Sequence, residues 1–135
     1  MPELPEVEVV KKSLSKTIYD LTIKNIEIRN KYLRYKINEK LMKKMVKSKV
    51  LSVSRRSKYI FIKLNNNHTI MFHLGMTGKI IIVDANKKKY KTSFYYKLID
   101  NSSNHDHLIF KFDKKIILIY NDVRKFGFIK ILKTK

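Results

Sequence analysis

Cysteine is absent from this chain of 135 residues, and its absence removes several kinds of site from consideration. Without cysteine, the chain itself can form no disulfide, no thiolate nucleophile and no zinc site with cysteine ligands. It also lacks any apolar run near the roughly 20 residues that a membrane-spanning helix needs. The chain start is acidic and does not have the basic, apolar character of a signal peptide. We therefore expect a soluble cytoplasmic protein, associated with the nucleoid if it is bacterial.

Acidic residues are scarce: 11 Asp and Glu stand against 31 Lys and Arg, which gives a formal net charge of +20. A positive field of this size attracts polyanions, and the commonest polyanion for a soluble protein is nucleic acid. Part of the excess comes from a general abundance of lysine and asparagine, as in the runs 87–89 and 65–67. Hydrophobic residues make up 44% of the chain, which excludes wholesale disorder, and the length fits a single domain over residues 1–135.

The pattern of apolar residues predicts a mostly β protein with flanking helices. Residues 5–17 have an apolar stripe at helical spacing, and residues 39–48 suggest a second, short helix. A change of alternation phase within 21–30 indicates a bulged strand. Further strands are predicted at 50–55, 58–64, 68–74, 79–84, 107–112, 115–121 and 126–132, with turns at 65–67 and 113–114 and a long loop at 85–104. Short strands at this spacing are typical of a sandwich or a barrel.

The chain starts Met-Pro-Glu, and Pro2 is its most informative residue. If Met1 is removed, Pro2 carries a free secondary amine that can attack a sugar C1′ and form an iminium ion. An α-amino group has a pKa of roughly 7.7–8.0, so an appreciable fraction is unprotonated near neutral pH. Glu3 supplies an adjacent carboxylate for proton transfer. The alternative is that Pro2 only permits Met1 removal and that Glu3 and Glu6 are ordinary acids of a first helical turn.

Two turns between predicted strands carry side chains suited to a base stack. In the segment 73–78, paired glycines predict a tight turn from which Met76 protrudes, as an apolar wedge would. In the segment 120–127, Arg124 offers a planar fork, Phe126 a stacking face and Gly127 a close backbone approach. Each segment, taken alone, is also compatible with an ordinary hairpin on a basic protein.

Two further basic segments suit phosphate contacts. Lys58 follows two arginines at the start of a strand, and a cation there can hold a phosphate and keep a nearby amine unprotonated. A solvated basic strand edge is the alternative. His105 and His107 point the same way if they lie on one strand, but no further ligand cluster accompanies them, so we expect one to contact phosphate and the other to be structural.

The first eight residues and the three later segments occur in the order and spacing of the formamidopyrimidine-DNA glycosylase family. The resemblance covers essentially the whole chain but only the N-terminal domain of that family. Leu4 favours the formamidopyrimidine branch over the endonuclease VIII branch, which typically has glycine there. The resemblance implies a β-sandwich of two antiparallel sheets with an N-terminal helix and a second short helix.

The resemblance also implies a role for each matched residue. Pro2 would be the nucleophile that attacks C1′ of a damaged nucleoside such as 8-oxoguanine or a formamidopyrimidine. Glu3 would transfer protons, Glu6 would shape the catalytic pocket, and Lys58 would contact the flanking phosphates. The family then cleaves the strand by β,δ-elimination from the Schiff base.

The remaining matched residues would bind damaged double-stranded DNA. Met76, Arg124 and Phe126 correspond to the side chains that fill the void left by the flipped nucleotide, and His105 to a phosphate contact. Two positions depart from the usual pattern. Val123 replaces a proline, and Lys125 replaces an arginine, so a phosphate can still be neutralised but the bidentate fork is lost.

The family's C-terminal domain, with a helix-two-turn-helix and a zinc finger, has no counterpart in this sequence. We therefore expect no metal or other cofactor in this chain, a monomer, and a separate or deleted C-terminal domain. An alternative function is a non-catalytic, sequence-independent nucleic-acid-binding module derived from the same domain. A ribosome-associated or other RNA-binding protein would leave the first eight residues and the set Met76, Arg124 and Phe126 unexplained.

Overall fold

The computed structural model describes residues 4–84, 89–91 and 105–134. Pro2 and Glu3 lie outside the described residues, as does most of the predicted loop 85–104. Within that loop, only the short strand Lys89–Lys91 is described.

An N-terminal helix, α1 (Leu4–Ile18), agrees closely with the predicted helix 5–17. Its apolar stripe falls at i, i+3, i+7 and i+11, and all four residues are buried: Val7, Val10, Leu14 and Ile18. Glu6 lies in the first turn and Lys16 in the last, where their charges complement the helix dipole. The buried stripe packs α1 against strand β2 (Val50–Arg56), so the helix is anchored to a sheet.

Within the described residues, nine strands form two antiparallel sheets, which confirms the predicted sandwich. The five-stranded sheet has the order β1-β7-β8-β5-β6, and its strands are β1 (Ile23–Ile28), β5 (Gly78–Val83), β6 (Lys89–Lys91), β7 (Asp106–Phe112) and β8 (Ile117–Asp122). The four-stranded sheet has the order β2-β3-β4-β9, in which β2 is joined by β3 (Tyr59–Leu64), β4 (His68–His73) and β9 (Phe128–Lys133).

The two sheets face each other across one apolar core. The Phe72 ring centroid in β4 lies 6.2 Å from those of both Phe110 and Tyr120, which belong to the opposite sheet. All three side chains are almost completely buried. Burying one large apolar side chain contributes about 1.5–3 kcal/mol to the stability of the folded state. The core therefore stabilises the strands from which the turns at their ends extend.

The bulge predicted in the first strand is confirmed, although the strand is shorter than expected. Pairing of β1 with β7 shifts register between Ile23 and Asn25. The shift turns both Ile23 and Ile26 into the core despite their odd spacing.

The second helix, α2 (Glu39–Lys43), is shorter than the predicted 39–48, and that boundary was wrong. The Asn38 side chain caps its start by accepting a hydrogen bond from the Leu41 amide. After Lys43 the chain continues through tight turns and reaches a positive φ of 78° at Lys47, which a helix cannot accommodate. These turns bury Met45 as well as Met42 of the helix, so apolar spacing persists beyond the helix end.

The predicted turns at 65–67 and 113–114 also form. The first joins β3 to β4, and the second, Asp113–Lys115, is a tight turn between β7 and β8 in which Lys114 and Lys115 have positive φ. Among the described helices, none has the length and apolar character needed to cross a membrane.

Candidate active site and nucleic-acid interface

Two turns at one end of the sandwich bring together three of the predicted site residues. Met76 lies between β4 and β5, whereas Arg124 and Phe126 lie between β8 and β9. The Met76 and Phe126 side chains are 53% and 51% exposed, which is unusual for large apolar groups. The Arg124 guanidinium lies 5.3 Å from the centre of the Phe126 ring, and one of its nitrogens lies 4.0 Å from the Met76 sulfur. The three side chains therefore form one exposed cluster.

The two turns are joined by the buried carboxylate of Asp122, which the sequence did not single out. One carboxylate oxygen accepts hydrogen bonds from the Thr77 hydroxyl at 2.5 Å and the Lys125 amide at 3.1 Å. The other accepts from the Tyr120 hydroxyl at 2.7 Å and the Gly127 amide at 2.9 Å. Charge-assisted bonds of this kind are roughly twice as strong as neutral ones. Asp122 thus holds the Met76 turn and the Phe126 turn in one arrangement.

Glycine at the turn crossing allows the backbones to approach this closely. A Cβ atom on Gly127 would lie 2.0 Å from the Tyr120 hydroxyl and 2.6 Å from the His73 carbonyl oxygen. Gly75 has a φ of +64° and contacts the same backbone segment. The close approach expected of Gly127 is therefore present, and it is made against the Tyr120 hydroxyl that bonds Asp122.

Lys58 lies half-buried in the two-residue turn between β2 and β3, and this turn is tied to α1. Arg55 donates one hydrogen bond to the Ser57 carbonyl at 2.9 Å and another to the Glu8 carboxylate of α1 at 2.7 Å. The Arg55 bond, followed by the bond from Lys11, lowers the pKa of Glu8. Through these two bonds of Arg55, the turn that contains Lys58 is connected to α1, the helix that begins two residues after Pro2. Glu6 is half-buried in the first turn of the same helix.

His73, at the end of β4, is buried among aromatic rings. Its ring stacks on Phe128 with centroids 5.2 Å apart and an angle of 4°, and Tyr59 meets it edge-on at 5.0 Å. Its Nδ1 accepts a hydrogen bond from the Gly75 amide at 3.2 Å, which requires that nitrogen to be unprotonated. Burial lowers the pKa of His73, and the positive charges of Arg34 and Lys58 lower it further. The bond to Nδ1 thus requires a neutral imidazole, whose ring contacts Tyr59, the residue that follows Lys58.

His105 and Lys125 line one open cavity of about 510 Å³, together with Arg29. His107 lies deeper: it is 2% exposed, and its Nε2 donates to the Asp122 carbonyl at 2.6 Å. His107 thus has the structural role that we expected of one of the two histidines, His105 and His107. Over the described ranges, no three His, Asp or Glu side chains are grouped so that they could hold a metal ion.

Comparison with known families identifies the domain. The sequence profile of the formamidopyrimidine-DNA glycosylase N-terminal domain matches residues 1–129, which is nearly the whole chain. The chain belongs to the formamidopyrimidine-DNA glycosylase family. This membership agrees with the sandwich and with the two turns that carry Met76, Arg124 and Phe126.

Curated relatives and solved structures of this family extend well beyond the chain. The formamidopyrimidine-DNA glycosylase of Rickettsia africae is 40% identical over 134 residues, which are 99% of this chain and 44% of the relative. That of Rickettsia bellii strain OSU 85-389 is 38% identical over 135 residues, or 45% of its length. The chain therefore spans less than half the length of these relatives.

Two solved structures of the Lactococcus lactis member of the family have the same fold. One is a complex with DNA containing an abasic site, with a TM-score of 0.80, 32% identity and coverage of 98% of this chain and 45% of that one. The other is a complex with DNA containing N7-benzyl-Fapy-dG, with a TM-score of 0.79, 33% identity and coverage of 98% and 44%.

Several residues of this family domain were missed by sequence reasoning. Asp122 and Thr77 stand inside the two predicted turn segments, but their mutual bond joins positions 45 residues apart. A sequence signal for Asp122 exists: an acid ends the strand β8, whose apolar residues are buried, and a carboxylate is buried only with partners. His73 had no comparable signal, since its surroundings come from β3 and β9.

Proposed function

We propose that the domain is the catalytic half of a base-excision DNA-repair enzyme acting on damaged double-stranded DNA. Its activities would be those of a DNA glycosylase and an abasic-site lyase, and its substrates oxidised purines such as 8-oxoguanine and formamidopyrimidines. The observation that carries the proposal is the exposed cluster of Met76, Arg124 and Phe126, which Asp122 holds in place. An exposed apolar pair beside a guanidinium suits insertion into a base stack.

The proposed chemistry begins with the Pro2 amine after Met1 is removed. The unprotonated amine attacks C1′ of the damaged nucleoside, the bond from C1′ to the base breaks, and the base leaves with the bonding electrons and takes up a proton. Glu3 assists opening of the sugar ring by proton transfer, which leaves an iminium ion between Pro2 and C1′. Loss of a C2′ proton then expels the 3′ phosphate, and a second elimination expels the 5′ phosphate.

The described residues would support these steps by binding the DNA. Met76 and Phe126 would fill the gap left by the flipped nucleotide, with Arg124 beside them. Lys58 would contact the phosphates flanking the reacting sugar, and its charge would favour the unprotonated Pro2 amine. His105 and Lys125, which share one cavity, would bind a further phosphate. DNA containing an abasic site or a formamidopyrimidine is the ligand named for the Lactococcus lactis structures, which supports this choice of partner.

This chemistry draws on amine and carboxylate groups of the chain, and we propose that it needs no cofactor held by this domain. Glu6 would shape the pocket from the first turn of α1. The domain would act as a monomer, with the remaining contacts to DNA supplied by a region like the other half of its relatives.

A second candidate function is a non-catalytic module that binds nucleic acid without regard to damage. The net charge of +20 favours it, because charge alone supports sequence-independent binding. Such a module would bind intact and damaged duplexes equally and would not depend on Pro2.

A strand-cleavage assay on duplexes with one 8-oxoguanine or one abasic site separates the two functions. We expect cleavage by the wild-type chain and a loss of about 10²-fold or more in Glu3→Gln, since a positioned acid–base group contributes that much. Pro2→Gly should also lose cleavage, with DNA binding retained in both variants. Full activity of Pro2→Gly would exclude the proposed nucleophile, and equal binding of intact and damaged DNA without cleavage would support the second function.

A further inference from the structure

A basic, aromatic loop between β1 and α2 carries no residue to which the proposed function assigns a role. This tyrosine loop (residues 31–36) carries Lys31, Arg34 and Lys36, and its two tyrosines are exposed: Tyr32 by 62% and Tyr35 by 44%.

The tyrosine loop is held in shape by its own backbone and by two apolar anchors. The Tyr32 amide donates to the Asn30 side chain at 3.0 Å, and the Ile37 amide donates to the Lys31 carbonyl at 2.8 Å. Leu33 and Ile37 point into the core and are buried. Because the loop is anchored in this way, its cations have defined positions and do not form a freely solvated charge run.

Two cationic side chains lie over each of the two exposed tyrosine rings. Lys31 and Lys36 lie over Tyr32 at 5.6 and 5.8 Å from its centre. Arg34 and Lys130 of β9 lie over Tyr35 at 5.6 and 4.3 Å. Cation–π contacts of this kind orient a cation without neutralising its charge. Among the ion pairs between described residues, only that of Lys31 with Glu39, at 3.9 Å, involves one of these four cations.

Ring contacts connect the tyrosine loop to the proposed reaction site. The Tyr35 ring meets Phe128 edge-on with centroids 5.0 Å apart, and Phe128 stacks on His73. Tyr59, the residue after Lys58, meets the same two rings, with centroids 5.0 Å from His73 and 6.2 Å from Phe128. Tyr35 of the loop is therefore connected through Phe128 and His73 to the residue next to Lys58.

We propose that the tyrosine loop, together with Lys130, is a further surface for duplex DNA, on which its cations contact backbone phosphates. The rings position the cations, so the contact is electrostatic and independent of the bases. This inference rests on the proposed function only in its choice of DNA as the partner.

Equilibrium binding to a duplex with one abasic-site analogue, measured over a range of salt concentrations, tests the proposal. The variant Arg34→Gln/Lys130→Gln removes the two cations over Tyr35. We expect about tenfold weaker binding at low salt, and a plot of log affinity against log salt that is shallower by nearly two, since each lost phosphate contact contributes about 0.9 to the slope.

The matched control is Lys24→Gln/Lys111→Gln, which changes the net charge equally. Both lysines are exposed. Lys111 lies five residues, or about 16 Å, along β7 from Asp106, which lines the cavity that contains His105. We expect the control to retain the wild-type slope. Equal effects of the two variants, or no measurable DNA binding by the wild type, would overturn the proposal.

The same samples distinguish this inference from the proposed chemistry. A slope that changes only in Arg34→Gln/Lys130→Gln supports the loop, even if the wild type cleaves no DNA. Cleavage by the wild type together with an unchanged slope in that variant would support the proposed enzymatic function and exclude the tyrosine loop as a DNA-binding surface.

Discussion

At the scale of single residues, His73 shows how the fold sets a protonation state. Its Nδ1 must be unprotonated to accept the Gly75 amide, and the surrounding rings keep water away from the imidazole. Burial, Arg34 and Lys58 all lower its pKa. The Met76 turn begins at this histidine, so a charged imidazole would weaken the first hydrogen bond of that turn.

The lowered pKa of His73 predicts that stability falls in mild acid. An unfolded chain binds a proton on histidine below about pH 6.5, whereas folded His73 stays neutral to lower pH. Because the unfolded state then binds more protons, the free energy of unfolding decreases as pH falls from about 6.5 through the folded pKa. Urea unfolding at pH values of about 7.5 and 5.5 should show this loss in the wild type.

Two variants isolate the contribution of His73. His73→Gln keeps a side-chain oxygen that can accept the Gly75 amide but cannot titrate, so its acid-induced loss should be smaller than in the wild type. His68→Gln, which replaces a half-buried histidine at the other end of β4, is the matched control for the loss of an imidazole. An identical pH response in His73→Gln and the wild type would contradict the assignment.

At the scale of elements, the end of the sandwich is organised by hydrogen bonds between turns. The Thr77 hydroxyl donates to Asp122 and accepts the Arg124 amide at 3.2 Å, so it contacts both turns. The strands supply only the rigid ends from which these turns extend. The position of Arg124 relative to Met76 therefore depends on Thr77 as well as on Asp122.

Removing the Thr77 hydroxyl should destabilise the protein and loosen the two turns. Thr77→Val keeps the shape but leaves the Asp122 oxygen and the Arg124 amide without this partner, at a cost of about 1–3 kcal/mol. Thr77→Ser keeps the hydroxyl and should cost less than about 1 kcal/mol. Urea unfolding measures both values, and fluorescence of 2-aminopurine opposite an abasic site reports base unstacking. Equal stability and equal unstacking in the two variants would show that the hydroxyl does not couple the turns.

The elements themselves were largely predictable, whereas their mutual contacts were not. Alternation of apolar residues identified the strands and the bulge of β1, because burial on one face leaves a local pattern. The end of α2 was placed too late because Met45 is buried in a turn and continues the helical spacing by coincidence. The hydrogen bond between Thr77 and Asp122 joins the turn after β4 to the end of β8, and the rings around His73 come from β3 and β9. Residues so far apart in the sequence leave no local pattern that predicts their contacts.

At the scale of the whole molecule, a two-sheet sandwich belongs to a chain with a formal net charge of +20. The relatives are more than twice as long, so we expect the domain alone to make fewer phosphate contacts than they do and to bind more weakly. The central claim concerns the amine of Pro2, which we propose as the nucleophile; the helix that follows it, α1, is bonded to the turn of Lys58 through Glu8 and Arg55.

The measurement that tests this claim most directly is borohydride trapping on a duplex with one abasic site, followed by mass spectrometry of the adduct. The account predicts a covalent adduct on the amine of Pro2, in chains from which Met1 has been removed. An adduct on a lysine such as Lys58 would contradict it. So would the absence of any adduct in a sample that lacks Met1 and binds the same duplex.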